Sequence, residues 1–171
     1  MYMYLTTGTR DFMEKLQKRH VNEKMILMHG GGQSLLLHET DGKSVFQSPR
    51  RYEVISSAGS LKEDGYFVYN NVPVTDEGRP VFEHRFSSRD DRIESQKGFI
   101  AYRLLRPLDS DTYIVMTEWE EAVDYDRWKH SQVFKSSPLS VDMKEFAGNT
   151  THIFSSASYI TTYTAKTDDE E

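Results

Sequence analysis

The order of apolar runs and turns is the feature that most restricts this chain, because the same order occurs twice. Tyr2 to Thr7 is aromatic and Thr-rich and meets Gly8, which predicts a strand and a turn. Thr9 then caps a helix over Asp11 to His20, with Phe12, Met13 and Leu16 on its buried side. Met25 to His29 and Ser34 to Thr40 are predicted strands separated by Gly30-Gly31-Gly32, and Asp41-Gly42 turns the chain into a small extra strand at Val45-Phe46. Ser48-Pro49 starts a short second helix that buries Tyr52, Val54 and Ile55 and stops at Gly59.

From Gly65 the order recurs: a strand at Tyr66 to Val74, a helix from Arg79 to about Arg92, and strands at Phe99 to Arg106 and Thr112 to Trp119 joined by a turn over Pro107 to Asp111. A helix from Ala122 to about Phe134, an irregular stretch through Asn149 and a last strand, Ile153 to Thr164, complete the order. The predicted fold class is α+β, with tandem ferredoxin-like halves, βαββα over residues 1–62 and βαββαβ over 63–165. The first half lacks the closing strand, and the acidic tail 166–171 is read as disordered. A sheet covered by helices on one face must bury the other, so the two halves are expected to pack sheet against sheet. The apolar faces are then covered within one chain, and the expected state is a monomer.

Composition narrows the function classes. A chain of 171 residues with 37% apolar and 12% aromatic content can bury a real core. The net charge of -6, without a Lys/Arg-rich run, argues against nucleic acid as a partner. Zero cysteines exclude disulfides, thiolate catalysis and cysteine-ligated metal sites. No apolar run approaches a membrane span and no signal-peptide pattern opens the sequence, so a cytoplasmic protein that does not bind membranes is expected. Gly30-Gly31-Gly32 opens no helix and so is no phosphate loop, and no nucleophile elbow is present. The carboxylates Glu118, Glu120 and Glu121 read as a solvated rim, and Arg103 with Arg106 as a solvated basic face.

Longer segments carry a resemblance. These are GFIAYRLLRP at Gly98 to Pro107, TYIVMTEW at Thr112 to Trp119, the run Asp126-Arg127-Trp128-Lys129, Asn70-Asn71, EHRF at Glu83 to Phe86, HETDGKSVFQSPRRYEVI at His38 to Ile55 and NNVPVTDEGRPVFE at Asn70 to Glu83. Together they resemble the antibiotic-biosynthesis-monooxygenase superfamily, and within it the long, HmoB-like haem-degrading monooxygenases. The resemblance implies a dimeric α+β barrel-like arrangement formed inside one chain as a pseudo-dimer. It implies haem as both substrate and cofactor, with O2 and an external electron donor or reductase, ring opening and iron release, a role in iron acquisition. Asn70 matches the family Asn that hydrogen-bonds the oxygen ligand, Trp128 the family Trp pressed on the porphyrin edge, and Phe86 an aromatic lining the haem slot. The three residues are expected around one cavity between the second-half sheet and its helices.

Each of these residues also has a plain structural reading. Asn is a poor strand former, so Asn70-Asn71 also fits a bulge or an edge, and Trp128, three residues after Tyr125, also fits ordinary core packing. The iron-ligand position, ten residues after Trp128, holds Pro138, which cannot coordinate iron. Of six histidines, His130 points to a different helix face from Trp128, while His152 and His84 are candidate substitute ligands. Two other readings stand beside the haem enzyme. One is a non-catalytic relative similar to the staphylococcal stress-associated TRAP proteins, which share the HETDG-like, YEVI-like and GFxxYRLLRP-like segments. The other is a superfamily member that oxidises a small aromatic substrate without a metal.

Overall fold

A computed structural model describes residues 1–87, 91–135 and 153–165. Its elements are β1 (Tyr2–Gly8), α1 (Arg10–Arg19), β2 (Met25–Gly30), β3 (Gln33–Thr40), β4 (Arg50–Gly59), β5 (Tyr66–Pro73), α2 (Arg79–Ser87), a 3₁₀ turn (Asp91–Ser95), β6 (Phe99–Pro107), β7 (Thr112–Trp119), α3 (Ala122–Lys129), α4 (Gln132–Lys135) and β8 (Tyr159–Thr164). The strands form a closed barrel in the order β1-β3-β2-β8-β5-β7-β6-β4, antiparallel throughout. Closure leaves no free strand edge to template association. The fold is thus α+β, with helices on the outside of the barrel. Among the described residues no helix is long and apolar enough to cross a membrane.

Strand alternation sorts the side chains. Met3, Leu5, Met28, Leu37, Phe67, Tyr69, Leu105, Ile114 and Met116 face inward and fill the barrel. The outer face of the first half packs Tyr4, Met25 and Leu36 against Met13 of α1 and Phe46 of the loop after β3. Two clusters cover the outer face of the second half: Val72, Val74, Tyr113 and Val115 lie under Phe82 and Phe86 of α2, and Val68 and Trp119 lie under Tyr125 and Trp128 of α3. Thr9 caps α1 as its sequence position predicts, its Oγ1 accepting the Phe12 N–H at 3.2 Å. Met13 supplies the buried side of α1, whereas Phe12 stays 56% exposed, a correction to its expected burial. Gly31 and Gly32 both have positive φ, 59° and 78°, which closes the two-residue β2–β3 hairpin.

The second helix expected over residues 48–59 is instead a strand, β4. It fills the place between β1 and β6, hydrogen-bonding to both. Tyr52 and Val54 turn inward, and a bulge between Val54 and Ser56 shifts the register, after which Ala58 packs outside with Ile55 against the Phe82 cluster. The bulge breaks the period-two pattern, so that Ala58 faces out although Tyr52 and Val54 face in. The first half therefore runs β1-α1-β2-β3-β4. It has its closing strand and lacks the second helix, the reverse of the expectation. The small strand expected at Val45-Phe46 is also absent, and Phe46 instead packs edge-on to His38 at 5.9 Å.

Candidate functional site

The Asn70-Asn71 pair is neither at an edge nor at a bulge. β5 lies between β7 and β8 with continuous register to both. Asn71 turns inward, and its Nδ2 donates at 3.2 Å to the Tyr69 carbonyl, the Tyr159 carbonyl and Thr161 Oγ1, so it ties β5 to β8. By alternation Asn70 faces outward and is half-buried. Its cross-strand neighbours are Val115 on β7 and Ile160 on β8, the latter 47% exposed. An amide donor therefore stands on an apolar platform, between Val68 of the α3 cluster and Val72 of the α2 cluster.

Phe86 and Trp128 belong to the same outer face but to different clusters. Phe86 is 5% exposed and stacks on Phe82 with centroids 4.6 Å apart. Trp128 is 4% exposed and packs against Trp119 at 5.3 Å and Phe134 at 4.7 Å. The partly buried Phe99 touches both clusters and joins them. Asn70 lies on the strand that runs beneath both. The two tryptophans differ at their polar ends: Trp119 Nε1 donates to Thr117 Oγ1 at 2.9 Å, while Trp128 Nε1 is buried without a hydrogen-bond partner among the described residues. An orphan N–H inside a protein costs about 1–3 kcal/mol, so it is a donor awaiting an acceptor.

The histidines are placed less favourably for iron. His84 is exposed on α2, two residues from both Phe82 and Phe86, and so on the side of the helix away from the sheet. His130 ends α3, with its Nδ1 2.7 Å from the Asp126 carbonyl. Pro138 and His152 lie outside the described residues. Among the described residues no group of three or more metal-ligating side chains occurs. The platform and its amide suit the edge of a flat macrocycle. An axial ligand for its iron is not supplied by the described residues on this face.

Electrostatics hold the second-half face in place. Arg106 bridges Glu53 of β4 at 2.8 Å and Glu83 of α2 at 2.6 Å, and Tyr113 OH donates to the same Glu83. Hydrogen bonding to Arg106 holds the Glu83 carboxyl below the usual range, while burial and Glu83 raise the Tyr113 hydroxyl. Arg103 is 6% exposed and donates from Nε to Glu39 at 2.7 Å across the barrel interior. Neither arginine is the solvated group its sequence position suggests. Glu118, expected on a solvated rim, is fully buried, because β7 alternation places Ile114, Met116 and Glu118 inside the barrel. The same alternation in TYIVMTEW is the sequence signal that locates it. Its Oε1 accepts the Lys62 N–H at 2.9 Å, its Oε2 lies against the Gly65 backbone, and burial pushes its pKa up to about 8.

Residues 65–137 match the antibiotic biosynthesis monooxygenase family. That segment carries β5 to α4, and so the whole described platform except β8. Among curated relatives, the signal transduction protein TRAP of Staphylococcus epidermidis is 26% identical over 148 residues, covering 86% of this chain and 89% of its own length. The haem-degrading monooxygenase of Listeria monocytogenes is also 26% identical, over 133 residues, covering 78% of this chain and 80% of its own length. A solved structure described as a major regulator of staphylococcal pathogenesis superposes with a TM-score of 0.84 at 25% identity, covering 98% of this chain and all of the other. Identity to the named enzyme thus equals identity to the named signalling protein.

Proposed function

We propose that the protein is a haem-degrading monooxygenase that binds haem on the outer face of its second half. The observation that carries the reading is Asn70: a half-buried amide on a central strand, with no structural bond of its own to satisfy, beside the exposed apolar surface of Ile160. Haem, once bound, supplies the iron centre at which oxygen reacts, with electrons from an external reductase. The chain's own residues bind and orient it. Ile160 would offer a porphyrin an apolar contact, Val115 supports that surface from beneath α2, the Asn70 amide would donate beside the reacting edge, and the Trp128 N–H would be a second donor in the neighbouring cluster. Phe86 acts through packing, since it is buried against Phe82. The iron ligand is assigned to neither His84 nor His130. His152, outside the described residues, is the remaining candidate of those named from the sequence.

The same reading takes residues 1–62 and 63–165 as two halves standing in for the two subunits of single-unit relatives. The barrel is then complete within one monomer. Haem titration tests the function: a Soret shift saturating near one equivalent, followed by loss of the ring under a reductant and O2, is expected, and Asn70→Ala should abolish ring loss with the melting temperature unchanged. A TRAP-like protein without catalysis is the second reading, favoured by the tight packing of Trp128. Absence of a saturable Soret shift would overturn the haem reading.

A further inference from the structure

The barrel end crossed by the linker between the halves holds a cavity of about 140 Å³, remote from the outer platform. Ile26 of β2, Leu37 of β3 and Leu61 of the linker form its apolar walls. Lys24, Glu39, Ser60 and Arg103 supply its polar lining. The linker wall is anchored, since Leu61 is 7% exposed in the barrel core and the next residue donates its N–H to buried Glu118.

Charge accounting at this cavity leaves one cation over. Arg103 donates from Nε and Nη2 to Glu39 and from Nη1 to the Ala58 and Tyr102 carbonyls, so four of its five N–H groups are engaged and its charge is balanced. Lys24 has no ion-pair partner among the described residues, and the Ser60 hydroxyl has no hydrogen bond there. The cavity therefore presents a free ammonium and a free hydroxyl beside three aliphatic side chains. A cavity of roughly 150 Å³ holds a molecule the size of benzene. That combination selects a small anion with an apolar body.

We propose that this cavity binds a short-chain aliphatic monocarboxylate, with its tail against Ile26, Leu37 and Leu61 and its carboxylate at Lys24 and Ser60. This site goes beyond the haem reading and does not depend on it, because it lies inside the barrel while Asn70 faces outward. Titration of the full chain with isobutyrate, followed by methyl NMR, tests it. Saturable shifts at Ile26, Leu37 and Leu61 are expected, with about tenfold weaker binding of the neutral isobutyramide. Lys24→Met, at an exposed position that leaves the fold intact, should weaken isobutyrate by about tenfold and leave isobutyramide unchanged. Absence of saturable shifts at these three residues overturns the proposal, as does equal binding of acid and amide or an unaltered affinity in Lys24→Met.

Discussion

Replacing Glu118 by glutamine should make the protein more stable at alkaline pH and leave it nearly unchanged at acid pH. The carboxyl is fully buried in the barrel, with one oxygen on the Lys62 N–H and the other against the Gly65 backbone, and its pKa is pushed from 4.5 to about 8. A raised carboxyl pKa means that the folded state holds a proton the unfolded chain releases. Stability contributed by this site therefore falls as pH rises. The cost is absent below about 4.5, grows by up to about 1.4 kcal/mol per pH unit, and is complete above about 8. Over the whole window this is on the order of 5 kcal/mol, a sizeable part of a domain's total stability. Glutamine keeps an acceptor for Lys62 and cannot ionise, so the difference between wild type and Glu118→Gln isolates the group from all other titrations. Urea unfolding at intervals from pH 5 to pH 9 measures it, as the change in midpoint at constant denaturant slope. The variant curve should run close to the wild-type curve near pH 5 and lie several kcal/mol above it at pH 9. Parallel curves for the two proteins would refute the reasoning, because Glu118 would then ionise as easily folded as unfolded.

Further outcomes follow from the packing. Trp128→Ala should lower stability by about 3–5 kcal/mol, since a buried indole leaves a large void, while Trp128→Phe should lose far less because the deleted N–H bonds nothing among the described residues. Denaturant midpoints check both, and with haem bound, a greater loss of ring degradation than of haem affinity in Trp128→Phe would place the indole at the reacting complex. A truncation beginning at Leu61 removes β4 and β2, the neighbours of β6 and β8, and should self-associate through the freed edges. Light scattering should show a monomer for the full chain and a dimer or larger species for the fragment.

Much of this architecture is written in local signals. The Thr9 cap, the double-glycine hairpin and the alternation of β5 and β7 each depend on neighbours within a few residues, and each is found where the sequence places it. What misleads is non-local. The bulge that shapes β4 is imposed by the need to join β1 on one side and β6 on the other, a demand invisible in Ser48 to Gly59 itself. The fates of Arg103 and Glu118 are likewise set across the barrel, by Glu39 of β3 and by the Lys62 N–H of the linker. Asn70 is legible as an unusual strand residue. That its neighbour Asn71 takes the structural bonds and leaves Asn70 outside follows from register, which the pair alone does not determine.

The two closing strands complete the barrel unequally, and this asymmetry makes a last prediction. β4 meets β6 through seven registered residue pairs, whereas β8 meets β2 through the single pair His29 and Thr164. The β2–β8 seam is held in another way: Gly30 lies so close to the Thr162 carbonyl that a side chain there would come within 2.1 Å of it. A seam with few ladder bonds opens at lower free energy than one with many. Amide exchange in the native state should therefore release β8 amides on the β2 side well before the β4 amides on the β6 side. Gly30→Ala should widen that gap by forcing the two backbones apart, with little effect at β4. Because β8 also carries Ile160 beside Asn70, opening at this seam would loosen one wall of the outer platform, and saturation of the platform by a bound ligand should slow β8 exchange selectively. Equal protection of β4 and β8 in the free protein would show that close backbone contact at Gly30 holds the barrel as firmly as a full ladder.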